Sequence, residues 1–150
     1  MSNKKIIDDI NNYFPRNDLR NLTQINIQGN NKIYKFSIEK TKYIIKYYGF
    51  FNDSHERLNR ESNFLDFCSK KKIFLVPKLF HMNKIKKFTI MSHISGKKIK
   101  SPNSIDKKLL NQAINFILIL NQDPPVRFLR AKDSFNNTEE YLSSVKKKIK

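Results

Sequence analysis

Two charged side chains stand where the surrounding pattern calls for apolar ones. In Tyr43-Ile44-Ile45-Lys46-Tyr47-Tyr48 the alternation of a strand puts Ile44, Lys46 and Tyr48 on one face, with Ile45 and Tyr47 on the other. Further along, Leu58, Glu61, Leu65 and Cys68 fall at i, i+3, i+7 and i+10, one stripe of a helix with Phe64 beside it, and Glu61 stands fifteen residues after Lys46. An ionised carboxylate on a buried stripe costs roughly several kcal/mol unless it is paired. A lysine between aliphatic and aromatic neighbours likewise calls for an anion. The economical expectation is that Lys46 and Glu61 pair with each other. Such a pair is consistent with a binding site for an anion, with a purely structural ion pair, or with a lysine that snorkels outward.

A third feature is the turn Gln28-Gly29-Asn30-Asn31. Glycine lets backbone approach a phosphate closely, and asparagine tolerates positive φ. Taken alone it is an ordinary hairpin turn.

The elements that would position these residues follow from periodicity. Ile6, Ile7, Ile10, Tyr13 and Phe14 predict a helix over 4–14 that Pro15 stops. Leu22, Ile25 and Ile27 lead into the glycine turn, followed by strands at 33–38 and 42–48 with a polar turn at 39–41 between them. A helix is expected from Asp53, as N-cap, to about Lys71. Two further strands follow, Val76–Phe80 and Lys87–Ile94, around a turn at Met82–Lys84. Residues 96–104 read as a hinge or linker, and 105–122 and 138–150 as helices. The expected class is α+β: a five-stranded antiparallel sheet with one inserted helix over 1–95, then the first helices of a second, helical lobe over 105–150.

A glycine-bearing hairpin, a lysine on the third strand and a glutamate in the next helix form, in that order, the kinase N-lobe arrangement. The chain resembles the aminoglycoside phosphotransferase family of small-molecule kinases in several segments. Gly29-Asn30-Asn31-Lys32-Ile33-Tyr34-Lys35 is similar to that family's nucleotide-covering loop, and Tyr43–Tyr48 to its lysine strand. Arg57-Leu58-Asn59-Arg60-Glu61-Ser62-Asn63-Phe64-Leu65 resembles the helix that carries its glutamate. Val76-Pro77-Lys78-Leu79 resembles the entry to its fourth strand, and Phe88–Gly96 its last strand and hinge. The resemblance covers roughly 22–96, and more loosely the helices to Lys150.

The resemblance implies a protein-kinase-like N-lobe and the start of a C-lobe. It implies that Lys46 holds the α- and β-phosphates of ATP, that Glu61 orients Lys46, and that Gly29, Asn30 and Asn31 cover the phosphates. Ile27 and Ile44 would enclose the adenine, Met91 would sit at the back of its pocket, and Ser92, His93 and Ile94 would offer it backbone hydrogen bonds. Only one glycine of the protein-kinase Gly-x-Gly-x-x-Gly loop is present, which favours a small-molecule hydroxyl as acceptor. The family's His-x-Asp-x-x-x-x-Asn loop and later Asp have no match: His55, His81 and His93 all lack the following pattern. Magnesium ligands and the catalytic base are therefore expected beyond residue 150. The chain reads as an N-terminal fragment or truncated product, inactive by itself.

Charge supplies the rival reading. Thirty Lys+Arg against thirteen Asp+Glu give +17, as a binder of nucleic acid or another polyanion would have. Only Arg16, Arg20, Arg57, Arg60, Arg127 and Arg130 are arginines, however, and the lysines are scattered along the chain. Lys, Asn, Ile and Phe are also what A/T-rich codons supply, so composition alone accounts for the balance. A non-catalytic, pseudokinase-like remnant is the other alternative. A single cysteine excludes a disulfide scaffold and points to a reducing, cytoplasmic setting. The apolar run 113–120 is too short to span a bilayer, so no membrane is expected. His55-Glu56 begins like a zinc-protease motif, but Asn59 stands where its second histidine would be.

Overall fold

The computed structural model describes residues 2–15, 18–25, 31–49, 53–96, 106–122, 138–140 and 142. Helix α1 (Asn3–Tyr13) begins at Ser2, whose side chain accepts from the Lys5 amide. It ends at Phe14, just before the proline that cannot continue it. Strands β1 (Leu19–Ile25), β2 (Lys32–Ile38) and β3 (Thr41–Tyr47) follow, then helix α2 (Ser54–Lys70) and strands β4 (Leu79–Asn83) and β5 (Phe88–Ser92). Every pairing is antiparallel, in the order β1-β2-β3-β5-β4. A five-stranded antiparallel sheet with a helix inserted after its third strand is a protein-kinase-like N-lobe architecture, as expected. Helix α3 (Lys107–Asn121) lies after it, capped by the Asp106 carboxylate on the Leu109 amide. Its apolar side chains Leu110, Ile114, Ile117, Leu118 and Ile119 are exposed.

Strand alternation divides the sheet into two faces, each covered by a helix. Tyr34, Phe36 and Ile38 of β2, Ile45 and Tyr47 of β3, and Phe88 and Ile90 of β5 form one buried cluster with Ile6 and Ile10 of α1. Each of those isoleucines, wholly removed from water, contributes about 1.5–3 kcal/mol. Tyr13 and Phe14 extend the contact: the Tyr13 hydroxyl donates to the Phe80 carbonyl at 2.9 Å, and Phe14 meets Tyr43 with ring centroids 4.9 Å apart. The opposite face carries Ile44 and Lys46, cross-strand from Met91 and Thr89. Against that face α2 buries Leu58, Ser62, Leu65 and Cys68.

Several boundaries differ from the sequence expectation. Strand β1 begins earlier, at Leu19, and is irregular between Arg20 and Thr23, where Asn21 has φ of 56°. Strand β4 is shifted toward the C-terminus, and its turn falls on 84–87 rather than on Met82–Lys84. Pro77 has no amide for a ladder, whereas the Asn83 side chain accepts from the Lys86 amide at 2.9 Å and closes the later turn. Strand β5 is shorter than 87–94. Asp53 stands at the N-cap of α2 but makes no side-chain cap; its carboxylate takes the Arg57 guanidinium at 2.9 Å instead. The expected linker, 96–104, lies outside the described residues except for Gly96, as does most of the expected helix 138–150.

Candidate functional site

Lys46 occupies the central strand, one residue from the end of β3 and beside Thr89 of β5. Glu61 lies one turn along α2 from the buried Leu58, and this spacing turns it toward the sheet. The two side chains meet: the Lys46 ammonium contacts Glu61 Oε2 as an ion pair and hydrogen bond. Their side chains are 17% and 31% exposed, so the pair sits at the rim of the core with access from solvent. Ile33, paired with Lys46, and Met91, paired with Ile44, lie on the same face.

Tyr48 closes the constellation, and no role for it was foreseen. Its hydroxyl donates to Glu61 Oε2 at 2.9 Å and lies 3.4 Å from Thr89 Oγ1. The Lys46 ammonium sits 4.9 Å from the centroid of its ring, within cation–π range. Burial above all, and then the Glu61 charge, push the phenol far above the ordinary tyrosine range, with the Glu61 hydrogen bond adding and the Thr89 contact opposing. Tyr48 is thus a fixed proton donor. The signal was present in the alternation, which places residues 46 and 48 on one face two residues apart.

The other sequence-predicted residues divide into four groups. Ile44 and Met91 are neighbours on the Lys46 face. Asn31 stands just before β2, and its side chain accepts from the Gly49 amide at 3.4 Å, tying the start of β2 to the exit of β3. Ile27, Gly29 and Asn30 lie outside the described residues. At the end of β5, the Ser92 amide donates to the Lys78 carbonyl at 2.9 Å and the His93 amide to the Lys42 carbonyl at 3.2 Å. Both amides are therefore engaged within the sheet, and Ser92 Oγ accepts from the Lys78 amide. Of the three expected adenine-facing residues, only Ile94 has its amide outside these ladder contacts, and the residue is 48% exposed. Among the described residues no group of three or more His, Cys, Asp or Glu is placed to hold a metal ion.

The chain is similar to known proteins at the level of the fold. No family model matches it, and no curated protein does either. Among solved structures it is similar, over 99% of its length, to a chain in the "Structure of the streptomycin-ATP-APH(2")-IIa ternary complex", with a TM-score of 0.70 and 16% sequence identity. The two share a fold. That fold is a protein-kinase-like one. The alignment takes in 50% of the solved chain, so the present chain spans half the length of the structure it matches. Among the described residues no helix is long and apolar enough to cross a membrane.

Proposed function

We propose that this chain is the nucleotide-holding part of an ATP-dependent phosphotransferase that acts on a small-molecule hydroxyl. The observation that carries the reading is the contact between Lys46 of β3 and Glu61 of α2, inside a kinase-like fold. A partly exposed ammonium with a carboxylate behind it and a solvent-facing side suits a phosphate: Glu61 fixes the direction of Lys46, and two of its three N–H donors stay available. Ile44 and Met91 supply an adjoining apolar surface for a flat base, and Ile94 a backbone donor at its edge. ATP, bound with Mg2+, supplies the phosphoryl group. Lys46 binds and orients the phosphates, and Gly29, Asn30 and Asn31 cover them. The base that takes the acceptor proton and the residues that hold Mg2+ belong to a helical lobe outside these 150 residues, and the chain by itself transfers no phosphate.

Titration calorimetry of the chain with Mg-ATP, beside Lys46→Ala, tests this. Wild type should bind, and Lys46→Ala should weaken binding by about tenfold or more, as loss of a charge-assisted contact does. The rival, a polyanion-binding module, would show no such singular dependence. Lys46→Ala would then weaken RNA binding no more than loss of an exposed lysine such as Lys84, and binding would fall steeply with salt.

A further inference from the structure

A phenylalanine at position 48 would fill the same space as the tyrosine. The ring is almost wholly buried, at 4% exposure, where an unpartnered hydroxyl is costly. This hydroxyl is partnered by the one carboxylate that also holds Lys46, and both contacts fall on the same oxygen, Glu61 Oε2. The ring meanwhile lies under the Lys46 ammonium. Tyr48 therefore touches both members of the pair from a position that the sheet makes rigid: its own amide donates to the Lys87 carbonyl at 2.9 Å, and its hydroxyl is also within 3.4 Å of Thr89 Oγ1.

We propose that Tyr48 is a positioning residue that holds Glu61, and through it Lys46 and helix α2, in the nucleotide-ready arrangement. Its role at a nucleotide site rests on the functional reading above. Glu61 projects from a helix, and its side chain is about one-third exposed, so water competes with Lys46 for it. A phenol anchored in the sheet does not exchange as water does, and it keeps the carboxylate directed inward. The arrangement has a second consequence. When Lys46 turns some of its donors to a phosphate, Glu61 retains a buried hydrogen-bond partner, so the lysine is shared between two anions without leaving one bare. Three contacts thus form a relay in space (Thr89 to Tyr48, Tyr48 to Glu61, Glu61 to Lys46) that links β5, β3 and α2 behind the ammonium.

Two measurements on the full chain decide this, one of which needs no nucleotide. In 15N-lysine-labelled protein the Lys46 ammonium, assigned by its loss in Lys46→Ala, should resonate apart from the bulk lysines because it is held. Tyr48→Phe, which keeps the ring, should move that resonance toward the bulk, while Tyr34→Phe on the opposite face leaves it in place. Adding Tyr48→Phe to Glu61→Gln should move it no further than Glu61→Gln alone. In the second measurement, Tyr48→Phe should weaken Mg-ATP binding by about three- to tenfold, and this loss should largely vanish in the Glu61→Gln background. A Lys46 resonance that ignores Tyr48→Phe, or affinity losses that simply add, would overturn the proposal. If wild type binds no ATP the nucleotide reading falls, and the resonance alone still decides whether Tyr48 positions Lys46.

Discussion

The hydroxyls of Tyr47 and Tyr48, adjacent in the chain, are held on opposite faces of the sheet by carboxylates from two different helices. Tyr47 donates to Asp9 of α1 at 2.9 Å, and Tyr48 donates to Glu61 of α2 at 2.9 Å. Lys46 precedes them and reaches Glu61 as well. The end of β3 is therefore clamped from both sides at the place where the candidate site lies, and α1, remote from that site, shares in fixing the strand.

The α1 side of this clamp is a matter of stability. Asp9 is 1% exposed, and besides the Tyr47 hydroxyl it takes the ammonium of Lys86 from the β4–β5 turn. Asp9→Ala would leave the phenol and the ammonium without their acceptor and should cost about 3 kcal/mol in urea unfolding. Lys86→Met should cost less, about 1 kcal/mol, because that side chain is 43% exposed and water replaces much of the contact. Equal effects from the two variants, or a loss below about 0.5 kcal/mol for Asp9→Ala, would show that the cluster does not tie α1 to the sheet.

A histidine on the same face makes stability depend on pH. The His81 ring stacks on Tyr13, with centroids 4.8 Å apart, and lies 5.7 Å from Phe88. Burial lowers its pKa below the ordinary histidine value of 6.5. Between the folded and unfolded values the unfolded chain binds the proton and the folded chain does not, so stability rises with pH across that window. It should be complete above about pH 6.5 and decline as the pH falls toward the folded pKa. His81→Phe, which keeps the ring contact, should flatten that decline in unfolding curves taken from pH 7.5 to 5. An unchanged slope would assign the acid sensitivity to other groups.

Much of the arrangement was legible in the residue pattern, and the reasons for the remainder are local. Lys46 and Glu61 stood out because each breaks an apolar stripe, and burial leaves such breaks few solutions. The sheet with its inserted helix followed from β-branched runs separated by turn residues. The place of α1 was not foreseen, although its Ile6, Ile10 and Tyr13 stripe needed an apolar surface and the Ile45 and Tyr47 face of β3 needed a cover. Strand β4 slipped because Val76 and Leu79 read as strand on propensity, while Pro77 and the Asn83 turn govern the hydrogen bonds. The alternation puts Tyr48 on the Lys46 face, but it does not show what the hydroxyl meets, because that partner comes from α2.

The Lys46–Glu61 pair can be separated from stability by removing it whole. Loss of one partner leaves the other charge half-buried, so Lys46→Met alone should destabilise the fold by about 1–3 kcal/mol, less than for a fully enclosed pair because both groups retain some water. Lys46→Met combined with Glu61→Leu removes both charges and adds apolar contact between β3 and α2. Ion pairs exchanged in this way for apolar residues of similar size are often neutral or stabilising. Tyr48 loses one acceptor but keeps Thr89 Oγ1 within 3.4 Å, a residual cost of about 1 kcal/mol. The double variant should therefore unfold within about 1 kcal/mol of wild type while binding no Mg-ATP. Chemical denaturation and calorimetry on the same samples give both numbers. A double variant that retains ATP affinity would remove the pair from the site, and one that unfolds several-fold more readily than either single variant would make it a structural pair instead.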